Sequence, residues 1–315
     1  MRISQRSKEG CATFGLAVFA MAATAAETPA PTPAVPTTAS ILAATKPTDW
    51  RALDPENTLY LDLAAGRVVI ELLPEFAPAH AANVKALVRE GYYDGLSINR
   101  VQDNYVVQWG DADGEDETKR RAIRKAKPTV PAEFDRAIAA DLPFTALIDG
   151  DLYAPEVGWT SGFAAGRDPK AARTWLAHCY GTLGSARGNE ADSGGGTELF
   201  VVIGHAPRHL DRNITLFGRV VHGLPLLSSL PRGTGALGFY EKPEQRVPIR
   251  AMRVAADVPA AERLALEVLR TDTDAFRSLI EARRNRREEW FKYSAGHVEL
   301  CNVPVPVRAV ETPAR

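Results

Sequence analysis

The sequence carries almost no net charge and has no apolar run long enough to cross a bilayer comfortably. Across 315 residues the acidic and basic side chains nearly cancel, leaving a formal net charge of -1. That balance gives no support to nucleic acid or an anionic membrane surface as a partner. What remains, with 45% apolar and 24% charged residues, is the composition of a globular protein.

The N-terminus has the layout of an export signal. Arg2 and Arg6 precede the apolar run 12-ATFGLAVFAMAATAA-26, which ends in small residues suited to cleavage after Ala25 or Ala26. We therefore predict a signal peptide over 1–26, a periplasmic location and no membrane span after cleavage. An uncleaved membrane anchor is the alternative.

Cysteine is scarce, with 3 in the whole chain. Cys11 would leave with the signal peptide, so only Cys179 and Cys301 would remain in the exported protein. An oxidising compartment allows these two to form one disulfide, joining a mid-chain insertion to the C-terminal tail. Two buried free thiols fit the sequence equally well, because disulfide geometry cannot be read from it.

Composition divides the chain into four parts. Residues 27–52 begin with 27-ETPAPTPAVPTTAS-40, which has no apolar periodicity and predicts a Pro/Ala/Thr-rich linker after the signal. Residues 53–257 predict the folded domain, interrupted by an insertion at about 112–181. Residues 258–315 predict a C-terminal helix and an extended tail.

Short strands dominate the central part. A hairpin is predicted over 58–73, a helix over 76–95 with Pro78 in its first turn and Gly91 at its end, and further strands at 96–101, 105–109, 182–187, 198–204, 214–221 and 248–257. Asp168 and Gly181 suit the ends of a helix over 168–181. Apolar residues from Leu264 to Ile280 predict the C-terminal helix. Without a βαβ rhythm, this pattern indicates a mainly β antiparallel barrel or sandwich capped by helices.

Two long motifs resemble one known family. The segments 92-YYDGLSINRVQDNYVVQWGD-111 and 182-TLGSARGNEADSGGGTELFVVIGHAPRHLDRNITLFGRVVHG-223 are similar, in order, to those of the cyclophilin-type peptidyl-prolyl cis–trans isomerases. The resemblance covers about 59–257. It implies a closed eight-stranded antiparallel β-barrel capped by helices, with a substrate groove on its outer surface.

The resemblance also assigns site residues. It implies that Arg100 is the catalytic arginine and that Gln108 is catalytic with it, holding Arg100 and the substrate carbonyl in register. The residues that it places along the substrate groove are Tyr105, Val106, Ala186, Arg187, Glu198, Phe200, His209 and Leu210.

Three of the matched positions depart from the family pattern. Glu198 stands where the family usually has a glutamine, and an ionised carboxylate cannot donate a hydrogen bond to a substrate carbonyl. It could instead form an ion pair with Arg100 or Arg187, either orienting or sequestering the catalytic guanidinium. His209 replaces a tryptophan found in some members, and Ile214 a histidine or tyrosine.

The resemblance implies a prolyl isomerase that needs no cofactor and acts on proline-containing segments of unfolded or exported proteins. We expect a monomer that assists folding, and no partnership with nucleic acid. The alternative is a chaperone or peptide-binding module with the same groove and little isomerase activity. A hydrolase lacks support, because no serine or cysteine lies in a recognisable elbow with a histidine and an acid. His178, His205, His209 and Asp211 lack the tight spacing of metal ligands, so no metal site is predicted.

Overall fold

The computed structural model describes residues 36–286 and 288–310, and the predicted signal peptide over 1–26 lies outside this range. None of the helices within the described ranges is long and apolar enough to span a membrane.

Eight antiparallel strands close into a barrel, which confirms the predicted fold class. The strands are β2 (Thr58–Leu63), β3 (Gly66–Leu72), β4 (Ser97–Val101), β5 (Val106–Gly110), β11 (Thr182–Ser185), β12 (Leu199–Val202), β13 (Leu216–His222) and β14 (Val247–Val254). Around the barrel the order is β11-β12-β5-β4-β14-β2-β3-β13, and β13 pairs with β11 to complete the circle.

Alternating side chains fill the interior of the barrel. On β5, Val107 and Trp109 point into the main apolar core, while Val106 belongs to a separate apolar cluster. This is the two-residue period expected for a strand buried on its inner face. Helix α2 (Pro78–Arg89) covers the barrel with the buried side chains of Val84, Leu87 and Val88, and Gly91 follows its end with φ 73°. Helix α3 (Leu224–Ser228) is a single short turn.

The insertion is not an irregular region but a second sheet. Its five strands are ordered β6-β10-β9-β8-β7 and comprise β6 (Arg136–Ala137), β7 (Thr145–Leu147), β8 (Glu156–Thr160), β9 (Phe163–Asp168) and β10 (Arg173–Leu176). The predicted helix over 168–181 is therefore wrong.

A turn accounts for that error. The Asp168 carboxylate accepts hydrogen bonds from the backbone N–H groups of Lys170 and Ala171, at 3.0 and 3.1 Å. An aspartate that caps a helix and one that closes a hairpin turn make similar bonds, so the local signal is ambiguous. Pairing of β10 with β9 decided the outcome.

The segments before and after the barrel fold together. Strand β15 (Leu266–Leu269) lies between β1 (Trp50–Ala52) and β16 (Val307–Ala309) in a three-stranded sheet. Helix α1 (Thr38–Ala43) packs against α4 (Asp274–Arg284). The predicted linker thus holds ordered elements from Thr38 onward, and the predicted C-terminal helix begins only at Asp274.

These terminal segments and the insertion share a second apolar core, separate from the interior of the barrel. Trp159 and Trp175 of the insertion pack there with Phe276 and Leu279 of α4. A disulfide between Cys179 and Cys301 crosses the same region and decides between the two alternatives that the sequence left open. The insertion and the C-terminal segment are therefore joined by both packing and a covalent bond.

Candidate active site

Three predicted site residues lie in one row across neighbouring strands. Arg100 on β4 is the register partner of Gln108 on β5, and Gln108 is the register partner of Phe200 on β12. Strand pairing brings Phe200 into the same row as two residues that lie far earlier in the chain. The row places a guanidinium, an amide and an aromatic ring side by side.

Three acceptors hold the Arg100 guanidinium. Its Nε donates to the backbone carbonyl of Leu237 at 2.7 Å, Nη1 donates to Gln108 Oε1 at 2.9 Å, and Nη2 donates to Gln102 Oε1. A guanidinium has five N–H groups, so two have no partner among the described residues. Arg100 is thus fixed in place with donors still available.

Glu198 reaches Arg100 only through Gln108. Gln108 Nε2 donates to Glu198 Oε2, while Gln108 Oε1 accepts from Arg100. Arginine only donates and an ionised carboxylate only accepts, so the two neighbours dictate which way the amide faces. Neither of the two expected ion pairs, to Arg100 or to Arg187, occurs among the described residues.

Arg100, Gln108 and Glu198 form a hydrogen-bonded relay, and burial shifts the pKa values of the two residues at its ends, Arg100 and Glu198. Desolvation lowers the pKa of Arg100 from its usual value, although nearby Tyr105 and Glu198 oppose that effect. Desolvation raises the pKa of Glu198, and the charges of Glu115 and Asp111 raise it further, against the hydrogen bond from Gln108 and the charge of Arg100. The Glu198 carboxyl therefore keeps its proton to a higher pH than a solvated glutamate does.

An apolar cluster adjoins the row on the outside of the barrel. Phe200, only 4% exposed, packs there with Val106 and Leu216 of the barrel and with Phe163 and Leu176 of the insertion. This buried position would suit the floor of a proline pocket in the groove where the resemblance places Phe200. The insertion, however, supplies part of the surroundings.

His178 is a contact of Phe200 that the sequence did not reveal. The two rings stack at 4° with their centroids 6.3 Å apart. His178 is fully buried, and its Nδ1 lies 2.8 Å from Asp211 Oδ1. Since His178 comes from the insertion, no local motif linked it to the groove.

The remaining predicted groove residues are distributed unevenly. Tyr105 and Ala186 pack against the apolar cluster around Phe200. The Arg187 guanidinium donates to the carbonyls of Gly188, Asn189 and Asn213.

His209 and Leu210 lie on a helical turn, Arg208–Leu210, and neither belongs to the described cluster around Phe200. Ile214, from the sequence after that turn, does pack against the cluster. Of the predicted groove residues, Tyr105, Val106, Ala186 and Phe200 therefore lie together, and His209 and Leu210 do not join them.

The segment 231–246 also contributes to the site without having been predicted. In addition to the Leu237 carbonyl, the Phe239 ring centroid lies 5.4 Å from the Arg100 guanidinium carbon, and the Tyr105 centroid lies 5.8 Å from it. A cavity of about 240 Å³ opens beside Glu198, lined in part by Asn99, Asp111 and Phe239.

The site combines the charged Arg100 guanidinium with the apolar cluster around Phe200. Within 36–286 and 288–310, no three His, Cys, Asp or Glu side chains are grouped so as to hold a metal ion. A fixed guanidinium with spare donors beside an apolar pocket suits a substrate that is polar at one point and apolar next to it.

Comparison with known proteins identifies a family whose fold and activity agree with this barrel and site. Residues 58–254 match the family model described as "Cyclophilin type peptidyl-prolyl cis-trans isomerase/CLD". The "Probable peptidyl-prolyl cis-trans isomerase" of Brucella suis is 29% identical over 191 residues, covering 59% of this chain and 76% of the relative. The "Peptidyl-prolyl cis-trans isomerase ppi1" of Schizosaccharomyces pombe is 28% identical over 164 residues, covering 52% of this chain and 78% of the relative.

A solved structure resembles the molecule well beyond the barrel. The cyclophilin AquaCyp293 from Hirschia baltica matches with a TM-score of 0.67 and 27% identity, covering 88% of this chain and 99% of that one. That coverage exceeds the family match, so the neighbour also resembles much of the chain outside 58–254. The chain belongs to the cyclophilin-type peptidyl-prolyl cis–trans isomerases.

Proposed function

We propose that this isomerase acts in the periplasm, on exported proteins whose folding is limited by rotation about Xaa-Pro bonds. The N-terminal basic residues, apolar run and small residues support export. The observation that carries the chemistry is the position of Arg100, held by three acceptors next to the cluster around Phe200.

The reaction needs no nucleophile and no proton transfer. Resonance keeps the Xaa-Pro amide planar with a barrier of about 18–20 kcal/mol, and spontaneous exchange takes on the order of tens to hundreds of seconds. Twisting the bond breaks the resonance and returns lone-pair character to the proline nitrogen. An enzyme accelerates the rotation by binding this twisted state more tightly than either planar isomer.

Arg100 is suited to that task. Its two spare N–H groups are donors for the proline nitrogen of the twisted amide, and the apolar surroundings of Phe200 receive the ring. Gln102, Gln108 and the Leu237 carbonyl already hold the guanidinium, so little reorganisation is needed when the substrate twists.

The test is NMR exchange between the cis and trans forms of a short Ala-Pro peptide. We expect strong acceleration by the protein and a loss of roughly 100-fold in kcat/KM for Arg100→Ala, as for removal of one electrostatic donor. Arg250→Ala, which removes an exposed arginine from β14, is the matched control and should leave the rate unchanged. Equal activity of Arg100→Ala and the unaltered protein would contradict the proposed role of Arg100. No acceleration by the correctly folded, unaltered protein would favour the binding-module alternative.

Export has its own test. Expression of the full chain in a Gram-negative host, followed by fractionation and N-terminal sequencing, should give periplasmic protein that begins after Ala25 or Ala26. Protein that keeps its first residues in the membrane fraction would favour the uncleaved anchor.

A further inference from the structure

A surface loop of the insertion presents large apolar side chains to solvent. Within the loop 148–153, Ile148 is 83% exposed, Leu152 98% and Tyr153 53%. Scattered exposed apolar residues are normal in proteins. Three within six residues of one ordered loop form a patch, and such patches commonly mark interaction sites.

One buried carboxylate anchors the loop to the C-terminal helix. Asp149 accepts two hydrogen bonds from Arg284 Nε, at 2.9 and 3.1 Å, and one from Arg284 Nη2, at 2.6 Å. The backbone N–H of Val298 donates to it as well, at 3.1 Å. The start of the loop is therefore tied to α4 and to the segment after it.

A second buried carboxylate anchors the loop beside the groove. Asp151 accepts from Arg208 Nη1 at 2.8 Å and from Nη2 at 3.1 Å, while the N–H groups of Tyr153 and Ala154 also donate to it. Both acidic side chains are turned inward and paired, so the outward face of the loop is left apolar. The exposure of Ile148 and Leu152 is thus a property of a fixed loop.

One end of the patch contacts the turn that carries two of the predicted groove residues. Arg208 begins the turn that carries His209 and Leu210, and its guanidinium carbon lies 5.2 Å from the centroid of the Tyr153 ring. We expect an extended peptide that continues beyond Leu210 to bring its flanking side chains to Tyr153. The loop therefore lengthens the surface available to a bound chain.

We propose that the loop 148–153 is a docking surface for the apolar residues of an unfolded client polypeptide that flank its reactive proline. This deepens the proposed function, on which it rests. An unfolded chain is the occupant because it offers exposed apolar side chains in an extended backbone, and because the patch adjoins the groove that binds its proline. Folded proteins bury such side chains and would not reach both surfaces together.

The test compares a long and a short substrate. Ile148→Ser/Leu152→Ser should lower kcat/KM about 10-fold for proline-limited refolding of a permanently reduced, unfolded protein, as expected from the loss of about 1.4 kcal/mol of apolar contact. For an Ala-Pro tetrapeptide, which carries no flanking apolar residues for the loop to bind, kcat/KM should not change. Tyr293→Ser is the matched control, since Tyr293 is 85% exposed in the C-terminal segment.

Equal losses with both substrates, or no loss with either, would overturn the docking surface. Loss of activity toward the protein substrate in Tyr293→Ser as well would do the same. If the double variant does not fold, as judged by circular dichroism, Leu152→Ser alone repeats the comparison.

Binding separates this inference from the isomerase chemistry. In an Arg100→Ala background, fluorescence anisotropy should still detect a labelled unfolded polypeptide, with an affinity about 10-fold weaker after the loop substitutions. Binding that is unaffected by them would contradict the proposal even where catalysis is intact. Light scattering that shows concentration-dependent dimers abolished by Leu152→Ser would assign the loop to self-association and overturn it too.

Discussion

Glu198 lies one hydrogen bond away from the amide that positions Arg100. The family resemblance predicts that it lines the groove, at a position where a glutamine is expected. Its carboxyl is poorly solvated, and that raises its pKa. When protonated it can donate a hydrogen bond as a glutamine does, and when ionised it cannot. The protonation state of this one group therefore changes what the groove offers to a substrate carbonyl.

The first prediction concerns the pH dependence. Because the pKa of Glu198 is raised, the protonated, donating form persists to higher pH than in a free glutamate and is lost as pH rises through that pKa. We expect kcat/KM for an Ala-Pro peptide to fall over that range. Glu198→Gln should remove the pH dependence and raise kcat/KM, at pH values where Glu198 is ionised, by roughly 2- to 10-fold, the effect of one hydrogen bond.

Glu115→Gln is the control for this prediction. The charge of Glu115 helps to raise the Glu198 pKa, and Glu115 makes no hydrogen bond within the described relay. Its neutralisation should move the midpoint of the activity profile to lower pH without flattening it. A profile that rises with pH in the unaltered protein would show that the ionised form is the active one.

The sequence predicted some residues of the candidate site and missed others. Arg100 and Gln108 stand in a long ordered motif, and strand pairing then placed them together. The Leu237 backbone carbonyl accepts a hydrogen bond from Arg100, and the buried His178 ring stacks on Phe200. Neither contact follows from a sequence motif. Such contacts depend on the packing of segments far apart in the chain.

At the scale of elements, the pairing of β11 with β12 shapes the predicted pocket floor at Phe200. Gly184 on β11 is the register partner of Phe200 on β12, and a Cβ at Gly184 would lie 2.5 Å from Phe200 Cζ. The Phe200 ring thus occupies the space that a side chain at 184 would need. The glycine is required by this close approach.

Gly184→Ala should therefore disturb the pocket. We expect it to cost about 1–3 kcal/mol of unfolding free energy, measured by urea denaturation, because overpacking forces neighbouring side chains to move. The same displacement of Phe200 should raise KM for an Ala-Pro peptide. Gly188→Ala is the control, since its nearest contact would be an ordinary 3.4 Å. An alanine at 184 with unchanged KM would mean that Phe200 does not form the floor.

Elements whose partners are near in sequence were predictable, and those with distant partners were not. The 58–73 hairpin and helix α2 carry their own turn and capping residues. Leu266–Leu269 has apolar residues that suit a helix as well as a strand. Its pairing with β1, more than two hundred residues earlier, made it a strand.

At the scale of the whole molecule, one disulfide links the insertion to the C-terminal segment, both of which lie outside the barrel. Cys179 and Cys301 are separated by 122 residues, so their disulfide greatly restricts the unfolded chain. The folded state has its own reason to keep these segments together, because they share the apolar core around Trp159 and Phe276. The disulfide and the core therefore reinforce each other.

Cys301→Ser is expected to lower the unfolding free energy by about 2–4 kcal/mol, the usual contribution of a disulfide that closes a long loop. Urea denaturation of the unaltered protein with a reductant should then match that of the variant, and the reductant should leave the variant unchanged. Activity toward an Ala-Pro peptide should survive in native buffer, because β5, Gln102 and the Leu237 carbonyl, which hold Arg100, all lie outside the two cross-linked segments. Loss of activity on reduction, without unfolding, would instead indicate that the disulfide controls the pocket through His178, the neighbour of Cys179 that stacks on Phe200.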